Sequence, residues 1–221
     1  MSIAFSPGAD SPNNSNMVIR MENGVLKTSR GIIHMEGPCN SDYISRLTMD
    51  QGLKNFRPPA RQQEALMLIS NLPEGKVFIA RFQEKIIGYV TFHAPDEYSR
   101  WSRHPYILEL GAVEVSPEWR NDKVAHYLLA EAFSHGFVEN HIIITIEFCW
   151  HWDLKNSNLT MISYQKMLTR LFSPVGLMKR ATDDPDITEH PANALMVRFG
   201  KNVPKEAIQR FEELTFLNRG I

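Results

Sequence analysis

The sequence predicts a single domain of the α/β or α+β class. Two observations predict it. A pair of apolar runs separated by three polar residues is followed by runs that alternate strand, helix, strand, helix, strand. The chain of 221 residues is also long enough for one well-buried domain and short for two. The expected division is a polar leader over residues 1–22 and one domain over residues 23–221.

In chain order, the leader is rich in Ser, Pro and Asn and can bury little apolar surface. Residues 31–35 read as a first strand, stopped by Gly37-Pro38. A helix follows from Asp42 with Ser41 as its cap. Pro58-Pro59 breaks the chain, and residues 60–71 place Ala65, Leu66, Leu68 and Ile69 at helical spacing. Strands at 77–82 and 86–92 flank a tight turn at Gln83-Glu84-Lys85. Residues 108–115 form the next strand, stopped by Pro117. An amphipathic helix over 124–137 carries Val124, Leu128, Leu129, Ala132 and Phe133 on one side. Residues 141–148 are β-branched and apolar, as a buried strand requires. A helix at 159–172, a strand at 195–199 and a helix at 205–214 complete the chain.

Composition narrows the function. Lys plus Arg total 24 against 25 Asp plus Glu, so no overall charge draws the chain to nucleic acid. The longest aliphatic stretch, around Ile142 to Ile144, is far too short to cross a bilayer, and no secretory signal pattern opens the chain. A cytoplasmic protein with no nucleic-acid or membrane partner is expected. Cys39 and Cys149 are read as small buried thiols, and no His, Cys or carboxylate spacing suggests a metal.

The informative segment is a strand ending Val113-Glu114-Val115-Ser116-Pro117, a turn with Trp119 and Arg120, and a helix starting near Val124. A helix N-terminus offers free N–H groups and a partial positive charge, and after a tight turn it can hold a pyrophosphate. The turn reads Arg120-Asn121-Asp122-Lys123-Val124-Ala125. It resembles the Arg/Gln-x-x-Gly-x-Gly/Ala motif of the GNAT family of N-acetyltransferases, with Lys123 at the first glycine. Glycine adopts positive φ freely; a lysine there needs a tolerated backbone angle, and its ammonium can reach a phosphate. Asp122 brings an unfavourable charge unless it points away.

The resemblance implies the GNAT fold, a mixed central sheet with splayed central strands flanked by helices, and acetyl-CoA as cosubstrate without a metal. It implies that the backbone of Val113, Glu114 and Val115 bonds the pantetheine arm. The turn at Asn121, Asp122, Lys123, Val124, Ala125 and His126 would hold the diphosphate, and an N–H near Val115 would polarise the acetyl carbonyl. A narrower resemblance is to a bacterial branch of that family concerned with acetoin utilisation. It rests on Phe56-Arg57-Pro58-Pro59, Leu72-Pro73-Glu74-Gly75, Ile87-Gly88-Tyr89-Val90-Thr91, Glu109-Leu110-Gly111-Ala112, Trp150-His151-Trp152-Asp153-Leu154-Lys155, Ala181-Thr182-Asp183-Asp184-Pro185 and His190-Pro191-Ala192-Asn193. It implies a protein lysine acetyltransferase that acts on acetyl-CoA synthetase and inactivates it.

Attack needs a neutral amine. With a lysine pKa of about 10.4, only around one in a thousand is neutral near pH 7, a cost of roughly 4 kcal/mol. Glu109 is the first candidate base; in an unbroken strand it shares a face with Gly111, Val113 and Val115, and a bulge would shift that parity. Its bland alternative is pairing with Arg100 or Arg103. Glu147, near the end of a buried strand, is the rival, with a structural hydrogen bond to Trp150 or Trp152 as its alternative. Glu114 alternates to the other face. Tyr164 is the candidate acid through the family's Asn-x-x-Ala-x-x-x-Tyr-x-x-x-Gly-Phe pattern. Asn158 precedes it by six residues rather than seven, and Gly176-Leu177 is displaced. His151 with Asp153 reads as a packed rim before a base and its orienting group. Two further functions stay open: a coenzyme-A-binding regulatory module without turnover, and a small-molecule amine acetyltransferase.

Overall fold

The computed structural model describes residues 21, 22 and 24–217. The expected leader lies outside the described residues except at its end, where Met21–Glu22 forms a short strand, β1. The remaining strands are β2 (Val25–Thr28), β3 (Gly31–Glu36), β4 (Thr48–Met49), β5 (Lys76–Phe82), β6 (Lys85–His93), β7 (Ile107–Val115), β8 (Ile142–Glu147), β9 (Met178–Arg180) and β10 (Ala194–Phe199). The helices are α1 (Ser41–Arg46), α2 (Pro59–Ser70), α3 (Val124–Ser134), α4 (Leu154–Ser157), α5 (Met161–Phe172), α6 (Pro185–Thr188) and α7 (Lys205–Thr215).

One open sheet runs β1-β2-β3-β5-β6-β7-β8-β10-β9, with β4 beside β6. The ladder is antiparallel except at β4–β6 and β7–β8. The expected α/β architecture is present, and its internal boundaries fall within a few residues of those read from pattern. Three local expectations change. The helix after Gly37-Pro38 is capped by Asn40, whose Oδ1 accepts the Tyr43 N–H at 2.8 Å, and Ser41 lies inside the helix. The Gln83 turn is tighter than expected because Gln83 takes a left-handed φ of 54°. The helix from Val124 ends at Ser134, and Gly136–Asn140 continues as a 3-10 turn.

Strand alternation sorts the core into two faces. On one face α3 and α5 cover Phe78, Val90, Phe92, Leu108, Leu110, Val113, Val115 and Ile143. On the other, α1 and α2 pack over Val77, Ile79 and Tyr89. Further along that same face, α7 and Trp101 pack over Ile107, Ile142, Ile144, Leu195 and Val197. The two helical covers of the second face leave a gap above the middle of β7, where Gly111 is exposed and Ala112 half-buried.

Candidate functional site

β7 and β8 are hydrogen-bonded neighbours only from Ile107↔Ile142 to Glu109↔Ile144. Beyond that point both strands continue, β7 to Val115 and β8 to Glu147, without pairing to each other. The sheet therefore splits, and the β8-facing N–H and C=O groups of residues 110–115 have no ladder partner. Such a split is a window between the two faces of the sheet.

On the α3/α5 face the window meets a cavity of about 580 Å³ between the start of α3 and the flank of α5. Val115, Arg120, Lys123, Ala125 and His126 line one side, and Leu159, Ser163, Met167 and Arg170 the other. The first helical bond of α3 runs from the Tyr127 N–H to the Lys123 carbonyl at 3.1 Å. The N–H groups of Val124, Ala125 and His126 precede it and carry the helix's partial positive charge. Lys123 is the hinge of the turn, with φ 55° and ψ 24°. The backbone thus takes the left-handed angle that glycine takes easily, on a residue with a Cβ.

The other turn residues divide. Asp122 turns to Arg30, 3.9 Å away, and Arg30 lies 4.9 Å from the Trp119 ring centre. Asp122 does not line the cavity, so its charge is directed away from it. Arg120 is nearly buried. Its Nε donates to the Val115 carbonyl at 3.3 Å and its guanidinium pairs with Asp153 at 3.1 Å. This bridge joins the end of β7 to the loop after β8, across the mouth of the split. Asn121 and Asn158 are exposed and do not line the cavity, although Asn158 holds a left-handed φ of 53° at the end of α4. Val113 and Glu114 contribute backbone to the split strand, while their side chains pack on opposite faces. Sequence reasoning missed Ser163, Met167 and Arg170; their i, i+4, i+7 spacing on α5 was the available signal.

The carboxylates sort by face. The β6–β7 register shifts between Thr91 and Phe92, Thr91 facing Ala112 and Phe92 facing Leu110, which leaves Gly111 as a bulge. The bulge reverses the side-chain parity of β7. Leu108 and Leu110 share a face with Val113 and Val115, and Glu109 shares the opposite face with Ala112 and Glu114. The unbroken-strand expectation is corrected on both counts: Glu109 does not face with Val113 and Val115, and Glu114 does not alternate away from Glu109.

Glu109 lies in the uncovered gap, half-buried. Burial raises its pKa, and Asp96 raises it further, while His93 pulls it down. Its bland pairing with Arg100 is absent, since Arg100 is engaged by Asp183 and Asp184. Glu114 is buried and fully occupied: it accepts from the Tyr89 hydroxyl and from the Asn55 N–H at 2.9 Å. Burial raises its pKa against those bonds.

Glu147 is on the face covered by α3 and α5, fully buried. Burial pushes its pKa up to about 7, and Thr145 and Trp152 offset only part of that. Thr145 Oγ1 donates to Oε1 at 3.1 Å, while Oε2 has no well-formed hydrogen bond and neither has Trp152 Nε1. Tyr164 is buried on α5 and stacks on Trp152 with ring centres 5.1 Å apart. Asp153, tied to Arg120 and to the Asn156 amide at 2.7 Å, does not orient His151. His151 packs instead among Phe56, Phe148 and Trp150. Trp150 stacks on Phe148 at 4.6 Å and is 53% exposed, so this aromatic edge meets solvent. Cys39 and Cys149 are free and buried. Among the described residues no three His, Cys, Asp or Glu side chains gather as metal ligands, and no helix is long and apolar enough to cross a membrane.

Comparison with known proteins places this architecture. Residues 44–153, the split strands and the turn included, match the model of the acetyltransferase (GNAT) family. The chain is 44% identical to the acetoin utilization protein AcuA of Bacillus licheniformis over 196 residues, 88% of this chain and 93% of that protein. It is 41% identical to AcuA of Bacillus subtilis over the same shares. A crystal structure of an acetoin utilization protein from Exiguobacterium sibiricum superposes with a TM-score of 0.86 at 42% identity, covering 93% of this chain and 98% of that one. A GNAT-family acetyltransferase of Streptococcus pneumoniae, 12% identical with a TM-score of 0.50 over 76% of this chain and 99% of that one, shares the fold.

Proposed function

The chain belongs to the GNAT family of acetyltransferases and is an acyltransferase, and from that premise we propose that it moves acetyl from acetyl-CoA to a lysine of a protein, with acetyl-CoA synthetase as the acceptor. The observation that carries the reading is the window between β7 and β8, with a cavity at a helix start on one side and a gap holding Glu109 on the other. The cavity suits a coenzyme. It has free N–H groups at a helix start and two cations, Lys123 and Arg170, at its rim. The unpaired edge of residues 110–115 suits the amides of a pantetheine arm, which can bond as an added strand.

In this reading the thioester reaches the window from the α3/α5 face and the amine from the gap above β7. Glu109 and Asp96 give that gap negative charge, which draws an ammonium. Glu109 receives the amine's proton, and its raised pKa suits a base that works near neutrality. The freed lone pair attacks the thioester carbonyl, an N–H near Val115 stabilises the developing oxyanion, and the C–S bond breaks. Tyr164 and Glu147, both on the thiol's side of the sheet, are the groups placed to return a proton to the thiolate. The second face also presents Phe148 with the exposed Trp150 stacked on it, as contact with a protein requires. The same reading sets the chemistry in the cytoplasm.

The test is incubation with acetyl-CoA and purified acetyl-CoA synthetase, followed by mapping of acetyl-lysine by mass spectrometry. Modification at one lysine is the expected result. A second reading, a coenzyme sensor without turnover, draws on the Arg120 bond to Val115, which occupies one carbonyl of the split strand. Thermal stabilisation by acetyl-CoA with no transfer to any protein or small amine would select it.

A further inference from the structure

We propose that His93 carries the acceptor's proton onward from Glu109 to solvent, across the bulge at Gly111. The inference rests on the reading of the gap above β7 as the acceptor side. His93 ends β6, and its register partner on β7 is Glu109. Its ring is fixed at one end: Nδ1 lies 2.8 Å from the Ala94 carbonyl oxygen. A carbonyl only accepts, so Nδ1 carries the hydrogen, and Nε2 of the neutral ring holds a free lone pair.

The other end of the ring is placed by the bulge. A Cβ built on Gly111 would fall 2.1 Å from His93 Nε2 and 2.8 Å from Cδ2. The acceptor nitrogen therefore lies directly against the backbone of Gly111, in space that any side chain at residue 111 would fill. This is the glycine of the bulge that turns Glu109 into the gap. Glycine at 111 thus does two things at once: it allows the extra residue in β7 and it leaves room for the imidazole on the strand pair that carries Glu109.

The chemistry asks for such a group. After the amine gives its proton to Glu109, the carboxyl must ionise again before the next turnover. Burial and the neighbouring charge of Asp96 both hold that proton on Glu109. Through a bridging water the proton reaches His93 Nε2, the imidazolium forms with Nδ1–H still bonded to the Ala94 carbonyl, and Nε2 releases the proton to the solvent. No oxidant or co-reactant enters. His93 is thus a relay that acts through Glu109.

The experiment compares wild type with His93→Ala, His93→Asn and Gly111→Ala, using acetyl-CoA and a protein acceptor. Thermal melts select the folded variants. Kcat should fall about tenfold to a hundredfold in each, at or below the lower end of the range for general acid–base steps because a relay acts through another group, with KM for acetyl-CoA unchanged. In His93→Ala, added imidazole should restore much of kcat, with a pH dependence that follows imidazole's own titration; a purely structural histidine would not be rescued so. Gly111→Ala, which keeps His93 but displaces its ring, should resemble His93→Asn and resist rescue. Wild-type activity with full kcat in His93→Asn, or a loss in His93→Ala that imidazole does not touch, would overturn the relay. Absence of transfer by the wild-type protein would instead overturn the proposed function.

Discussion

Replacing Lys123 by glycine separates two effects that the structure superimposes. Lys123 holds φ 55° and ψ 24° at the start of α3. A left-handed backbone costs an L-residue about 1–2 kcal/mol, and glycine is free of that cost. Glycine gives back about 0.4–1 kcal/mol through the greater freedom of its unfolded chain. The net gain is about 0.5–1 kcal/mol, which for a domain of this size raises Tm by about 1–4 °C. The side chain lines the cavity beside the free N–H groups of the helix. Removing an exposed ammonium from the proposed diphosphate seat should cost about 1.4 kcal/mol, a tenfold rise in Kd. Lys123→Gly is therefore expected to melt higher without coenzyme and to bind acetyl-CoA about tenfold more weakly. Lys123→Ala keeps the strained angle and loses the charge, so it should bind as weakly without the gain in Tm. Lys123→Arg should bind like wild type. Differential scanning fluorimetry and titration calorimetry read both quantities. A glycine variant that melts no higher than the alanine variant would refute the strain argument. Unchanged affinity in both would refute the phosphate argument.

Other perturbations test the rest of the site. Glu109→Gln should lower kcat/KM by about a hundredfold or more and remove the acidic limb of its pH profile, which in wild type should lie above the ordinary glutamate range because burial raises that pKa; calorimetry should show acetyl-CoA binding unaffected. Glu147 has a folded pKa of about 7 against 4.5 when free. The folded state then holds the extra proton between those values, so its contribution to stability is full below about pH 4.5 and is lost as pH rises to about 7. Melts across pH 5 to 8 should therefore show a smaller decline for Glu147→Gln than for wild type. Arg120→Ala leaves Asp153 buried without its cation; a loss of about 3 kcal/mol, or about 6–12 °C in Tm, is expected, with partial recovery in the Arg120→Ala, Asp153→Ala pair.

Most of the fold was legible because its signals are periodic. β-branched runs at 77–82, 86–92 and 141–148 and the amphipathic stretch from Val124 carry their structure locally. The short strands β1, β4 and β9 carry no such signal, since two or three residues hold no period. The cavity was half legible. The Arg120 to His126 turn has a pattern, whereas Ser163, Met167 and Arg170 belong to it only because α5 packs beside α3. The face of Glu109 was not legible. One bulged residue inverts every side chain after it, and Gly111 in a strand signals a bulge without giving its position in the register. The partner of Arg120 was also hidden, because Asp153 meets it only through the split of β7 from β8.

Burial alone would nominate three bases at this site, since it raises the pKa of Glu109, Glu114 and Glu147 alike. Partners and access separate them. Glu114 has its oxygens committed to the Tyr89 hydroxyl and the Asn55 N–H, so taking up a proton would break a bond that holds β6 and the segment after α1 together. Glu147 keeps a spare oxygen, yet it is closed in under Trp152 and lies on the α3/α5 face, the side assigned to the thioester in the proposed reaction. An amine arriving from the opposite face would have to pass the acetyl group to reach it. Glu109 alone combines an open approach, a raised pKa and a position at the point where β7 and β8 part. What distinguishes it from its neighbours is therefore the direction from which each can be reached. That direction is set by the bulge at Gly111, so deleting Gly111, which removes the bulge, should return Glu109 to the alternation of an unbroken strand relative to the residues after it and abolish acetyl transfer in an assay of the folded variant.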